Sequence, residues 1–311
     1  MYRTKGVMYS LSCIMLFTNL AFITECGAPI EFGKKFAYDL KKPDEKYMLK
    51  KKLAEVSGLS FLTDSTLVLV EDEVGAIFSY NLKTNTISDN HKFAKKGDFE
   101  DVETLGDSAY VLRSDGTLYE INDINSDESI LTPKIYDTPL SVENDTEGLC
   151  YDQKNHSLLI GCKGVASLMN SKAKYFNKRA IYSFNLRTKK LSQTPAILID
   201  EKAVAKHSYA ASRNGIEKLM SFYNLTPTTP YEPSGMAFHP ITNDLFIISS
   251  SSNLMIVIDS KGTLKSAHEL TEKVFKQPEG IVFDSKGNLY ISNEGRGGKG
   301  NILKFLYDPE Q

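Results

Sequence analysis

The chain has 311 residues, enough for one large domain or two ordinary ones. Hydrophobic residues at 41% and charged residues at 24% exclude a polytopic membrane protein and a disordered chain. A formal net charge of −2 offers no basic excess for nucleic acid, and four cysteines in this length exclude a disulfide framework.

In chain order, the first predicted element is an export signal. Arg3 and Lys5 precede an uncharged stretch, Val7 to Thr24, that carries Leu11, Ile14, Leu16, Phe17, Leu20 and Phe22. The apolar core stops at Glu25-Cys26-Gly27. Ile23-Thr24-Glu25-Cys26 resembles a relaxed bacterial lipobox, with Glu25 where a small residue is usual. Residues 1–26 therefore read as a lipoprotein-type signal peptide with Cys26 as the lipidated residue. Residues 27–35 read as a linker and 36–311 as one domain. Simple secretion, or an uncleaved anchor of roughly 18 residues, are the alternatives. The expected location is a bacterial cell envelope, lipid-anchored to membrane, or else periplasmic or secreted.

Downstream, one pattern recurs five times: a small or acidic residue, a glycine or its equivalent, an apolar strand, a turn and a second apolar strand. The first strands begin at Ser57, Glu100, Glu147, Ser234 and Glu279. Their partners are Leu67–Val70, Ala109–Leu112, Leu158–Gly161, Leu245–Ile248 and Leu289–Ser292. Third strands follow at 76–82, 117–121, 180–186, 254–259 and 301–306. Turns such as Ser114-Asp115-Gly116 and Asp284-Ser285-Lys286-Gly287-Asn288 keep step with the repeat. A repeat of roughly 45 residues with several strands predicts an all-β propeller of four-stranded blades. Five blades fit the spacing best. Six would require a blade hidden in the long gap between the third and fourth copies. That gap predicts a helical insertion over 200–231, with short helices at Glu201–His207 and Asn214–Phe222. Phe36–Leu40 is expected to supply an outer strand that closes the ring, since open edges invite aggregation.

The segments Phe99-Glu100-Asp101-Val102-Glu103, Pro233-Ser234-Gly235-Met236-Ala237-Phe238-His239-Pro240 and Gln277-Pro278-Glu279-Gly280-Ile281-Val282-Phe283-Asp284 resemble the SdiA-regulated β-propeller family, also called the YjiK/CarP family. Leu69-Val70-Glu71-Asp72-Glu73 and Gly287-Asn288-Leu289-Tyr290-Ile291-Ser292-Asn293-Glu294-Gly295 are similar too. The resemblance runs from about Phe36 to Asp308. It implies an exported or membrane-associated bacterial protein linked to calcium. The Glu-Gly starts also resemble β-propeller phytases, which hold calcium and phosphate in the channel mouth.

The first strand of each blade lines the channel, so Ser57, Glu100, Glu147, Ser234 and Glu279 face one axial end. The ends of the second strands give a further column of Glu71, Arg113, Cys162, Ser249 and Asn293, with Asp72, Lys163 and Glu294 beside it. Converging carboxylates repel unless a cation or raised pKa values relieve them. Calcium takes 6–8 oxygen ligands in irregular geometry, so Glu71, Glu100, Glu147, Glu279 and Asn293 are the candidate ligands of a Ca2+ ion. The alternative for each Glu is a cap on a tight turn that bonds the neighbouring blade. Arg113 and Lys163 either neutralise this ring or hold a small anionic ligand beside the metal.

Other signals are weaker. Gly295-Arg296-Gly297-Gly298-Lys299-Gly300 matches a dinucleotide fingerprint by letter, but it lies between strands with no helix following. The histidines lack zinc-ligand spacing, and no nucleophile elbow is present. Cys150 and Cys162 read as buried apolar side chains rather than a bridge. The expected function is an exported, membrane-associated, monomeric calcium-binding or sensing module. The alternatives are a calcium-dependent phosphoesterase and a structural propeller that binds a protein partner.

Overall fold

Each repeat folds as one antiparallel sheet, because turns this short between its apolar runs permit only hairpins. The computed structural model describes residues 36–168, 175–211, 220 and 230–310. The leader, Cys26 and most of the insertion lie outside the described residues.

The first blade is β2 (Val56–Thr63), β3 (Thr66–Glu71), β4 (Val74–Asn81) and β5 (Thr86–Lys92). The second is β6 (Phe99–Leu105), β7 (Ser108–Arg113), β8 (Leu118–Ile121) and β9 (Lys134–Tyr136). In the third, β10 (Thr146–Asp152), β11 (Ser157–Cys162) and β12 (Lys178–Asn185) carry two short outer strands against β12, β13 (Lys190–Leu191) and β14 (Ile197–Asp200). The fourth is β15 (Gly235–Phe238), β16 (Leu245–Ser249), β17 (Leu254–Ile258) and β18 (Leu264–Glu269). The fifth takes β19 (Pro278–Phe283), β20 (Leu289–Asn293) and β21 (Asn301–Phe305) from the end of the chain and β1 (Glu45–Met48) from its start. The inner strands β2, β6, β10, β15 and β19 neighbour one another in a closed cycle. Closure with five leaves no place for a sixth blade.

The three inner strands of each blade are largely covered on both faces, so most of them read as continuous apolar runs, whereas outer strands such as β1, β5 and β9 are exposed. Each of the five blade-to-blade interfaces holds its own apolar cluster, for example Val68, Ile77, Val102 and Val111 between the first and second. Among the described residues, every strand and every core cluster lies between Phe36 and Asp308.

The inner strands crowd closely at their second position. A Cβ on Gly58 would sit 2.3 Å from Asp101 Oδ1, and one on Gly235 would sit 2.3 Å from the Glu279 carbonyl oxygen. Glycine is therefore required where inner strands meet. In the second blade that position is Asp101. Its carboxyl fills the crowded space, accepting the Val102 N–H at 2.8 Å and the Leu149 N–H of the third blade at 2.7 Å.

The ring closes differently from the sequence expectation. The outer strand of the fifth blade is β1, which pairs Glu45 with Lys304 and Met48 with Asn301. Phe36–Leu40 instead packs its side chains into the interface of the fourth and fifth blades. There Tyr38 is 4% exposed and Phe36 stacks on His268 at 3.6 Å. Buried aromatic area outweighs ladder bonds for these residues, and pairing starts only after Pro43.

In the insertion, the predicted helix is α1 (Glu201–Ala211), begun by Asp200, whose Oδ1 accepts the Lys202 and Ala203 N–H groups at 2.9 and 3.2 Å. The second predicted helix falls almost wholly outside the described residues.

Candidate functional site

The candidate site is created by a bulge. The β2–β3, β6–β7, β10–β11 and β19–β20 ladders each slip at Ser57-Gly58, Glu100, Glu147 and Glu279-Gly280 respectively. A bulged residue leaves the ladder, and its side chain is re-aimed. In these four blades the first residue of the repeat is thereby released from the ladder at the same end of the inner strand, whereas the β15–β16 ladder of the fourth blade runs without a slip.

The carboxylates feel one another there. Burial first, and then the charge of Glu147, push Glu100 up to about 10. Glu147 is 7% exposed, and burial raises it to about 8, opposed by Lys163 and reinforced by Glu279. Glu279 is raised to about 7 by burial and by Glu294. Glu294 reaches about 7 through burial and the charges of Asp72, Glu55 and Glu147. Asp72 reaches about 6 through burial and Asp98. These influences link five carboxyl groups, with Glu55, Asp98 and Asp145 at the rim, into one acidic channel mouth.

Of the residues singled out in the sequence, this mouth gathers Glu100, Glu147, Glu279, Asp72, Glu294 and Lys163. Lys163 Nζ contacts Glu147 Oε1 at 2.6 Å. The remaining candidate metal or anion ligands, Glu71, Asn293 and Arg113, make their hydrogen bonds within their own hairpins. Glu71 accepts the Val74 N–H at 3.0 Å. Asn293 is fully buried opposite Asn301, to whose Oδ1 its amide donates at 3.4 Å. Arg113 gives Asp115 two hydrogen bonds, at 3.0 and 2.7 Å, and donates to the Tyr119 hydroxyl at 2.7 Å. Its guanidinium is spent within one hairpin. The Gly295–Gly300 run joins β20 to β21 by a turn with positive φ at Arg296 and Gly297, with no helix after it.

Sequence reasoning missed two groups. Glu55, Asp98, Asp145, Glu232 and Gln277 each stand two residues before the first residue of a repeat, an alternation visible in the letters. Glu103 lies one layer deeper, three residues after Glu100. It takes the Ser60 hydroxyl of the first blade at 3.5 Å and the Tyr151 N–H of the third, and burial raises it to about 8.

Cys150 and Cys162 are both free and buried. Their cross-strand partners are Leu159 and Thr146, so the two do not face each other.

The donors at the mouth are all oxygen, which fits a hard cation. Among the described residues, no three acidic, histidine or cysteine side chains stand already converged as a metal site. An ion would therefore draw the long Glu side chains inward by rotamer changes.

Comparison with known proteins places the fold. Glutaminyl cyclase from Myxococcus xanthus is similar over 86% of this chain and 96% of that one, at 11% identity and a TM-score of 0.55. A structural genomics protein of unknown function from Bacteroides thetaiotaomicron matches 77% of this chain, at 12% identity and a TM-score of 0.47. The chain spans about half of that protein's length, 52%. Virginiamycin B lyase from Staphylococcus aureus shows 14% identity over 84% of this chain and 73% of that one, with a TM-score of 0.42. These likenesses concern the fold alone. No curated protein matches in sequence. Residues 195–296, spanning the insertion, the fourth blade and β19 and β20 of the fifth, match the SdiA-regulated family, so the family resemblance read in the sequence is borne out over that part of this β-propeller.

Proposed function

We propose that this chain is an exported, membrane-associated propeller that takes up a calcium ion at its acidic channel mouth and acts as a binding or sensing module. The observation that carries the reading is the set of carboxyl groups, Glu100, Glu147, Glu279, Glu294 and Asp72, that raise one another's proton affinity. Carboxyl groups kept protonated by burial, and then by one another's charge, gain most from a cation that replaces the protons. Irregular oxygen donors on flexible side chains suit calcium better than magnesium, which demands a compact octahedron.

The phosphoesterase reading needs cations free to hold an anion beside the metal. Arg113 is bound to Asp115 and Lys163 to Glu147, which weighs against it. The test is calorimetric titration of chelator-treated protein with calcium and with magnesium. Calcium should bind with proton release, at least tenfold more tightly at pH 8 than at pH 6, and more tightly than magnesium. Binding without proton release, or unaffected by a Glu100→Gln/Glu147→Gln/Glu279→Gln variant, would remove the site from the mouth.

A further inference from the structure

The closing strand carries a second charged surface, opposite in sign to the channel mouth. Between Phe36 and Lys52 the chain has Lys41, Lys42, Lys46, Lys50, Lys51 and Lys52, all exposed, against Asp39, Asp44 and Glu45. This segment is thus net positive within a chain of net charge −2.

Its three acids are committed internally. Asp39 accepts the Lys41 N–H at 3.1 Å, and Asp44 the Leu306 N–H at 2.8 Å. Glu45 holds Lys304 at 2.7 Å and the Tyr47 hydroxyl at 2.5 Å. Lys52 lies over the Phe78 ring at 4.9 Å. Among the described residues, the other five lysines make no ion pair. They run from the turn before β1, through β1 itself, to the short 3-10 turn Lys51–Leu53 that leads into the first blade. Met48, 44% exposed, and Leu306, 49% exposed, add apolar side chains on β1 and just beyond β21.

We infer that this lysine-rich stripe, Lys41 to Lys51 before, on and after the edge strand β1, docks against an anionic phospholipid surface. The charge is complementary, the ammonium groups are free, and the chain supplies the proximity. A lipid on Cys26 would leave ten residues to Phe36, at most about 35 Å of extended chain. A single lipid chain holds a protein to a membrane only marginally, and a basic patch is the common second signal. Each lysine close to an anionic surface strengthens binding by up to about fivefold, so the five together amount to at least tenfold after screening.

The inference deepens the membrane-associated half of the proposed function, and its failure is separable from failure of the anchor. The test takes the chain from Gly27, which lacks Cys26 and contains the whole propeller. This protein is co-sedimented with vesicles of phosphatidylcholine alone or with phosphatidylglycerol at about one third. Binding to the anionic vesicles at low salt, abolished near 1 M salt and reduced at least tenfold by Lys41→Gln, Lys42→Gln, Lys46→Gln, Lys50→Gln and Lys51→Gln together, is the expected result. Should that variant misfold, Lys41→Gln/Lys42→Gln/Lys46→Gln carries the same test with a smaller loss. Equal loss on replacing Lys154, Lys190, Lys202, Lys261 and Lys286 would overturn the inference by removing the stripe's specificity. So would equal sedimentation with neutral vesicles, or tighter retention on duplex DNA than on the anionic vesicles. Loss of membrane attachment in the full chain with Cys26→Ser, while the stripe still binds vesicles, would separate the anchor from the stripe.

Discussion

The Tyr38 hydroxyl and the His239 imidazole meet at 2.8 Å, and the proton between them belongs to the histidine. Tyr38 spends its own proton on the Gly287 carbonyl at 2.6 Å. His239 Nδ1 accepts the Ile241 and Thr242 N–H groups at 3.2 and 3.1 Å, which leaves Nε2 as the protonated nitrogen. Burial holds His239 below its ordinary pKa. The N-terminal segment is thus latched into the interface of the fourth and fifth blades by a neutral histidine.

Replacing Tyr38 by Phe removes both bonds and leaves the Gly287 carbonyl unpaired. Urea unfolding of Tyr38→Phe should show a loss of about 1–3 kcal/mol. Tyr307→Phe, which touches the same rings, should cost less. Equal losses would mean that the aromatic packing alone holds the latch.

Asp101 replaces the glycine of the other inner strands and ties the second blade to the third. Asp101→Ala leaves the Val102 and Leu149 N–H groups buried without acceptors, at a cost of about 2–4 kcal/mol. Asp101→Asn retains one acceptor and should cost clearly less. Chemical denaturation that ranks the two variants equally would remove the bridging role.

The acidic mouth sets the pH dependence of the metal-free protein. The ordinary value for Glu is 4.5, whereas Glu279 and Glu294 are raised to about 7 and Glu147 to about 8. A carboxyl whose folded pKa is raised binds its proton more tightly when folded. Its contribution is present at low pH and is lost as pH rises from about 4.5 through those values. In chelator, stability should therefore fall between about pH 5 and 8. Glu279→Gln should flatten that fall by roughly 1–2 kcal/mol. Calorimetric scans that show stability rising over this range would contradict the electrostatic reading of the mouth.

Burial raises both the Cys150 and Cys162 thiols. In the chain from Gly27, neither should react with maleimide under native conditions, and two thiols should be counted after unfolding. A single reactive thiol in the native protein, or none after unfolding, would revise their placement.

The architecture was legible because the repeat is periodic in turn chemistry as well as in apolar runs. Ser57, Glu100, Glu147, Ser234 and Glu279 were correctly aligned as equivalent positions. Three residues of the second column make their hydrogen bonds within their own hairpins for a local reason. Glu71, Arg113 and Asn293 end second strands, where the turn beneath them offers N–H groups and side chains within immediate reach. Letters mark the end of a strand but do not show which hairpin claims the residue. The ring closure was displaced for a similar reason, since Phe36 and Tyr38 suit an apolar interface as well as a strand. Glu103 escaped notice because the bulge changes the alternation from two residues to three, and a bulge is invisible in a hydrophobic pattern.

The central claim is a calcium ion at the channel mouth. Its most direct test is thermal unfolding of metal-free protein with calcium and with chelator, beside a Glu147→Gln/Glu279→Gln variant. A ligand bound only by the folded state at a hundredfold excess over Kd adds about 2.7 kcal/mol. For a domain of this size that corresponds to a rise in Tm of roughly 5–10 °C. The account predicts that rise in the parent protein and its loss in the double variant. An unchanged Tm in the parent would contradict it.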